Sequence, residues 1–202
     1  MEIACLDLEG VLVPEIWIGL AEKTGIDELR ATTRDIPDYN VLMRQRLSIL
    51  EKNGLGNDDL QQVIGTLAPL PGAIEFIDWL RERFQVVILS DTFYEFSKPL
   101  MRQLGWPTLL CHRLTIDNNG RIVDFKLRQK DPKRCSVQAF QGLGYRVIAT
   151  GDSYNDTTML EQADAGILFR APDQVKEEFS QYPCVEQYSE LKDQFMRASE
   201  SH

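Results

Sequence analysis

Apolar residues recur along this chain in two rhythms. Short β-rich runs occupy residues 3–7, 85–90 and 145–151, each ending in a small or acidic residue, and a further short run spans 165–169. Between them the period changes to that of a helix. Residues 72–83 place Ile74, Phe76, Ile77 and Leu80 on one amphipathic face, and Asp131-Pro132 opens a helix carrying Val137, Phe140 and Leu143 before Gly144. Strands alternating with helices predict an α/β fold, a doubly wound parallel sheet covered by helices.

Two segments break the alternation. Residues 14–69 hold no good strand but carry helical patterns at 15–24, 39–52 and 58–67, so they read as a small helical cap inserted after strand one. That leaves 1–13 and 70–202 as the α/β core. The second break covers 109–127, where two β-rich runs flank Asp117-Asn118-Asn119-Gly120, a turn sequence that predicts a hairpin. No repeat is evident, the segment after Phe169 receives no role, and disorder is expected only at the polar end, 199–202.

Composition narrows the function classes. With 31 acidic against 22 basic residues the net charge is -9, which argues against a nucleic-acid partner yet leaves room for a small phosphate held by a few basic groups and a metal. Met1 runs straight into a strand pattern without a basic leader, and no apolar stretch is long enough to span a membrane, so the expected location is the cytoplasm. Cys5, Cys111, Cys135 and Cys184 are scattered, with neither disulfide nor zinc spacing, and are expected to be reduced thiols. His112 and His202 are the only histidines. His112 reads as a structural or surface residue, and no serine-histidine triad is apparent.

The chemistry lies at the predicted strand ends, where ligands bind in parallel α/β sheets. Asp7 and Glu9 follow strand one, Ser90 and Asp91 follow the second run, and Gly151-Asp152-Ser153-Tyr154-Asn155-Asp156 follows the run at 145–151. Lys133, with Lys130 as its rival, opens the helix before that run. Each motif alone could be a turn or a helix cap. Together they supply a nucleophilic carboxylate, an acid/base, a hydroxyl donor, a cation and hard oxygen ligands suited to Mg²⁺, which are the parts of a phosphoryl-transfer site.

In that order the motifs resemble the haloacid dehalogenase superfamily over about residues 3–170, and the helical insertion is similar to its phosphoserine phosphatase branch. The resemblance implies that Asp7 is the nucleophile, Glu9 the acid/base, and Ser90, Asp91, Lys133 and Asn155 phosphate or substrate contacts. It further implies Mg²⁺ held by Asp7, the backbone carbonyl of Glu9 and Asp152, with Asp156 supporting those ligands. Glu15 and Arg46 take the roles of cap residues that hold a substrate's amino and carboxylate groups. Glu9 departs from the branch, which has aspartate there, and is similar to a subgroup that moves phosphate from phosphoserine to homoserine. The implied partners are these small molecules, and a homodimer is compatible with the reading. Alternatives are a phosphatase of another small phosphoester and a regulatory module phosphorylated on Asp7.

Overall fold

The computed structural model describes residues 1–33, 35, 36 and 38–200. At its centre is a seven-stranded sheet in the order β4-β3-β2-β1-β5-β6-β7. The strands are β1 (Glu2–Leu6), β2 (Gln85–Phe93), β3 (Thr108–Ile116), β4 (Ile122–Lys126), β5 (Arg146–Gly151), β6 (Ala165–Phe169) and β7 (Cys184–Val185). All pair in parallel except β3 with β4. The expected hairpin is therefore present, but its first strand also joins the main sheet beside β2.

Period-two alternation along the buried strands sorts side chains to opposite faces. Ala4, Leu6, Ile88, Ile148, Ile167 and Phe169 belong to one hydrophobic cluster, while Ile3, Cys5, Val87, Leu89, Val147, Ala149 and Leu168 belong to the other. The first cluster is covered by α1 (Ile16–Thr24), α3 (Asn57–Ile64), α4 (Ala73–Arg81), α5 (Tyr94–Gln103) and α9 (Tyr188–Glu200). The second is covered by α6 (Pro132–Gly142), α7 (Thr157–Gln162) and α8 (Asp173–Glu178). Helices on both faces make this the doubly wound sheet expected.

Between β1 and α4 the chain forms α1, a 3₁₀ turn at Asp27–Arg30, α2 (Tyr39–Lys52) and α3, with no named strand among the described residues. Asp38 starts α2 by accepting hydrogen bonds from the N–H groups of Asn40 and Val41. The pattern at 58–67 overran the real helix, which stops at Ile64 before Gly65.

Two further expectations need correction, and the unassigned tail gains a place. β2 continues to Phe93 rather than stopping at residue 90, but Leu89 faces Leu110 while Phe93 faces His112, so two extra residues bulge from the ladder. Ser90 and Asp91 sit in that bulge, not beyond a strand. The segment after Phe169 closes the sheet with β7 and packs Leu191 and Phe195 of α9 into the core. Ser199 is helical and donates a hydrogen bond to Glu2, whereas residues 201 and 202, including His202, lie outside the described residues. All four cysteines are free.

Candidate active site

The chain moves from β1 out to β2 on one side and later returns to β5 on the other, so a crevice opens at the carboxyl end of β1. Asp7 extends the ladder by one residue, its N–H donating to Thr150 O at 3.0 Å. Its Oδ1 accepts from Leu8 N–H at 2.7 Å, and the residue is buried. Gly10 adopts φ +79°, and a Cβ there would strike the Asp152 carboxylate; Gly151 likewise leaves room for the side chain of Asp156. The two glycines thus let the first and last acidic motifs close on one another.

Lys133 enters from the first turn of α6, where Pro132 occupies an early helical position. Its Nζ lies 2.9 Å from Asp7 Oδ1 and 2.6 Å from Asp156 Oδ1, with only 4% of the residue exposed. Lys130, its rival in the sequence, is exposed and does not line the cavity that Lys133 enters. Asp156 is fully buried and already saturated. Its Oδ1 accepts from Lys133, and its Oδ2 accepts from the N–H groups of Asp152 and Ser153 and from the Ser153 hydroxyl.

Ligand oxygens of Asp7, Asp152 and Asp156 all lie within 4.8 Å of one another. Three carboxylates share one ammonium, and the imbalance shows in the titration of Asp7 and Asp152. Burial and then repulsion by Asp156 hold the Asp7 carboxyl well above the ordinary carboxylate range despite the opposing pull of Lys133. Burial and the same neighbour raise Asp152 to about 7. Burial would pull Lys133 down, but Asp156, Asp7 and Asp91 together hold it well above an ordinary lysine. Hard oxygen donors carrying a surplus of negative charge fit a divalent cation such as Mg²⁺.

The inserted helices supply the opposite wall. Glu9 turns its carboxylate toward the start of α1, where Oε2 accepts from Ile16 N–H at 2.9 Å. Burial, followed by the neighbouring Glu15 charge, raises Glu9 to about 8. Arg46 is 6% exposed and lies 4.4 Å over the Trp17 ring. One of its terminal nitrogens donates to Ala31 O at 2.8 Å, Nε has no partner, and no carboxylate lies within ion-pair distance among the described residues. Its burial lowers its pKa.

Asp7, Glu9, Glu15, Arg46, Ser90, Asp91, Lys133, Asp152 and Asn155 line one cavity of about 370 Å³. Every site residue expected from the sequence therefore reaches the same place. A second groove of about 450 Å³ between α3 and α5, beside Lys98, Arg102 and Trp106, contains none of them.

Three residues at the site escaped the sequence reading. Tyr39 begins α2 and donates its hydroxyl to Asp91 O at 2.9 Å, joining the inserted helices to β2. Trp17 supplies the face on which Arg46 rests. His112 is buried, the structural of the two settings expected for it, and its Nε2 lies 3.4 Å from Asp91 Oδ1. Only the aromatic start of α2, directly after its Asp38 cap, offered a local signal for any of them.

The sequence profile of haloacid dehalogenase-like hydrolases matches residues 1–164, and the chain belongs to that family. Among its relatives, the phosphoserine phosphatase ThrH of Pseudomonas aeruginosa is 72% identical over 199 residues, covering 98% of this chain and 97% of that protein. A phosphoserine phosphatase of Pseudomonas syringae pv. tomato is also 72% identical over 199 residues, covering 98% and 84% respectively. The fold is similar to that of a solved phosphoserine phosphatase in apo form, with a TM-score of 0.76 at 23% identity over 93% of this chain and 94% of the other. No described helix is long and apolar enough to cross a membrane.

Proposed function

We propose that this chain is a Mg²⁺-dependent phosphoserine phosphatase that works through an aspartyl phosphate on Asp7 and can pass the phosphoryl group to homoserine. The observation that carries this reading is a single cavity in which Asp7 touches Lys133 at one end while Arg46, a buried cation with no carboxylate within ion-pair distance among the described residues, faces in from the other. A phosphoryl group fits the first end and an α-carboxylate the second. The 72% identity to the two Pseudomonas phosphoserine phosphatases supports the substrate, and the name ThrH supports an acceptor connected with threonine.

In this mechanism residues 14–69 act as a cap over the core. Arg46 binds the substrate carboxylate and Glu15 its ammonium, while Ser90 and Lys133 bind phosphoryl oxygens, with Asp91 and Asn155 beside them. Asp7 attacks phosphorus, the bond from phosphorus to the serine oxygen breaks, and the Glu9 proton passes to that oxygen. The raised pKa of Glu9, about 8, suits a group that must be protonated for this step. Serine then leaves. Water or the homoserine hydroxyl attacks the aspartyl phosphate, Glu9 takes its proton, and Asp7 is released as carboxylate. Mg²⁺, held by Asp7, the Glu9 carbonyl and Asp152, would offset the negative charge of the phosphoryl oxygens and the attacking carboxylate. Asp156, with both oxygens engaged, would orient Asp152 and Lys133 instead of binding the ion.

The test is incubation with phosphoserine, with and without homoserine, in Mg²⁺ or chelator. Free phosphate should form with Mg²⁺, phosphohomoserine should appear when homoserine is added, and chelator or Asp7→Asn should abolish both. Mg²⁺-independent turnover, or turnover surviving Asp7→Asn, would falsify the mechanism. Absence of phosphohomoserine at saturating homoserine would remove the transfer activity alone.

A further inference from the structure

His112 stands outside the reaction just described, yet it is a polar side chain with only 4% of its residue exposed and a site carboxylate beside it. Its ring lies near the aromatic rings of Phe93 and Tyr39, with centroids 6.0 Å and 6.3 Å away. The hydrogen bonding of one nitrogen settles what the other carries. Nδ1 accepts from Arg128 N–H at 3.1 Å, so the proton of the neutral imidazole resides on Nε2, which faces Asp91 Oδ1 at 3.4 Å. The other carboxylate oxygen of Asp91, Oδ2, points toward Lys133 but stops 3.9 Å from Nζ, beyond hydrogen-bond reach.

An ammonium has three N–H donors. Asp156 and Asp7 engage Lys133 at 2.6 Å and 2.9 Å, which leaves one donor for an incoming phosphoryl oxygen. Asp91 is the competitor for that donor, since it sits in the bulge of β2 with its side chain partly open to the cavity. Its backbone carbonyl is fixed by the Tyr39 hydroxyl, so the remaining freedom is in the side chain, where His112 is the polar group opposite Lys133.

We propose that His112 is a positioning residue that holds the Asp91 carboxylate off Lys133 and so reserves the third ammonium N–H for the phosphoryl group. This rests on the assignment of Lys133 as the phosphoryl-binding cation. Without the imidazole, Asp91 closes the gap to Lys133, and phosphate must displace it in order to bind.

The experiment is calorimetric titration of the Mg²⁺-loaded protein with inorganic phosphate, alongside steady-state kinetics with phosphoserine, for the native chain, His112→Phe, Asp91→Asn and the double variant. His112→Phe should weaken phosphate binding about 10-fold, ~1.4 kcal/mol, and raise KM for phosphoserine by a similar factor with a smaller change in kcat. In the Asp91→Asn background the same substitution should change phosphate affinity by less than about 2-fold. An equal loss in both backgrounds, or no loss in the native one, overturns the proposal. His112→Gln, which keeps an N–H donor on a side chain of similar reach, should retain near-native affinity, and it serves as the test if His112→Phe does not fold. Phosphate affinity is read without turnover, so a chain inert toward phosphoserine would refute the proposed function while the role of His112 was still decided. Unchanged phosphate affinity in Lys133→Ala would instead remove the shared premise, and this inference with it.

Discussion

Arg46 is a buried guanidinium whose retained contacts are an aromatic face, a backbone carbonyl and the Met43 sulfur. Burying a charge without a directly paired counter-ion costs several kcal/mol, and Glu9 and Glu15 attract Arg46 only from beyond ion-pair distance, so such a group is best explained by an anion that arrives with substrate. Arg46→Ala should raise KM for phosphoserine roughly 10- to 150-fold, the ~1.5–3 kcal/mol of a charge-assisted pair, and leave hydrolysis of an aryl phosphate nearly unchanged. Equal losses on both substrates would assign Arg46 to folding through its contact with Trp17. Glu9 presents a different problem, that of reach. Its Oε2 is tied to Ile16 N–H at 2.9 Å, and an aspartate, shorter by one methylene, cannot keep that bond while staying in place. Displacements of ~1 Å at a reacting group can cost about 100-fold. Glu9→Asp is therefore expected to redraw the partition between acceptors, lowering the ratio of phosphohomoserine to free phosphate. An unchanged product ratio with both acceptors present would show that the extra methylene does not select the acceptor.

At the scale of elements, α5 shows how the helices between β1 and α4 are tied to the rest of the chain. Pro99 lies inside this helix and lacks the N–H that would bond to the Glu95 carbonyl four residues earlier. Gln61 of α3 makes up the loss, its Nε2 donating to Glu95 O at 2.9 Å, so a helix defect becomes a contact between two elements. The β3–β4 hairpin does similar work. Gly120 O accepts from Asn57 N–H at 2.9 Å, and Asp124 pairs with Arg44 of α2 at 2.9 Å. Gln61→Leu should leave the Glu95 carbonyl unsatisfied and destabilise the chain by about 1–3 kcal/mol, at roughly 2–4 °C in Tm per kcal/mol for this size. Adding Pro99→Ala restores an internal donor to Glu95 and should recover most of that loss. If the double variant melts no higher than Gln61→Leu alone, solvent already satisfies the carbonyl. This helix was absent from the sequence reading because the proline interrupts its pattern and its compensation comes from residue 61, far away in the chain. The length of α3 was misjudged for a more local reason: apolar periodicity continues through Leu67, but the helix yields at Gly65.

Across the whole molecule, what could be read from the sequence was whatever has a short-range signature. Asp7, Ser90, Lys133 and Asp152 each sit beside an apolar run or a helix start, and a parallel sheet carries such positions to one edge, so the acidic and basic parts of the site were readable before any coordinates. Tyr39 and His112 were not, because their significance lies in contacts with Asp91 that no local pattern encodes. β7 and α9 were unread for the same reason: the amphipathic stripe of Leu191 and Phe195 does not say which face of the sheet receives it. Convergence of acidic side chains also has a consequence for the stability of the entire chain. Glu9 and Asp152 are raised to about 8 and about 7 from ordinary values of 4.5 and 3.8, and Asp7 moves in the same direction. Between the unfolded and folded pKa values the native state binds more protons than the unfolded one, so unfolding free energy falls as pH rises through that interval. Asp91 is shifted the opposite way, since Lys133 and His112 outweigh its burial, and acts only at more acid pH. The metal-free protein should therefore lose thermal stability steadily from about pH 4.5 to 8, and Glu9→Gln, neutral at every pH, should flatten the slope. In the proposed mechanism Mg²⁺ would take the place of the departing protons, so the stabilisation it confers should grow across the same range and its binding should release protons. Melting curves in chelator and in excess Mg²⁺, with calorimetry in buffers of different ionisation enthalpy, measure both effects. A Tm in chelator that is flat or rises between pH 5 and 8 would show that solvent, not protonation, relieves the repulsion among Asp7, Asp152 and Asp156.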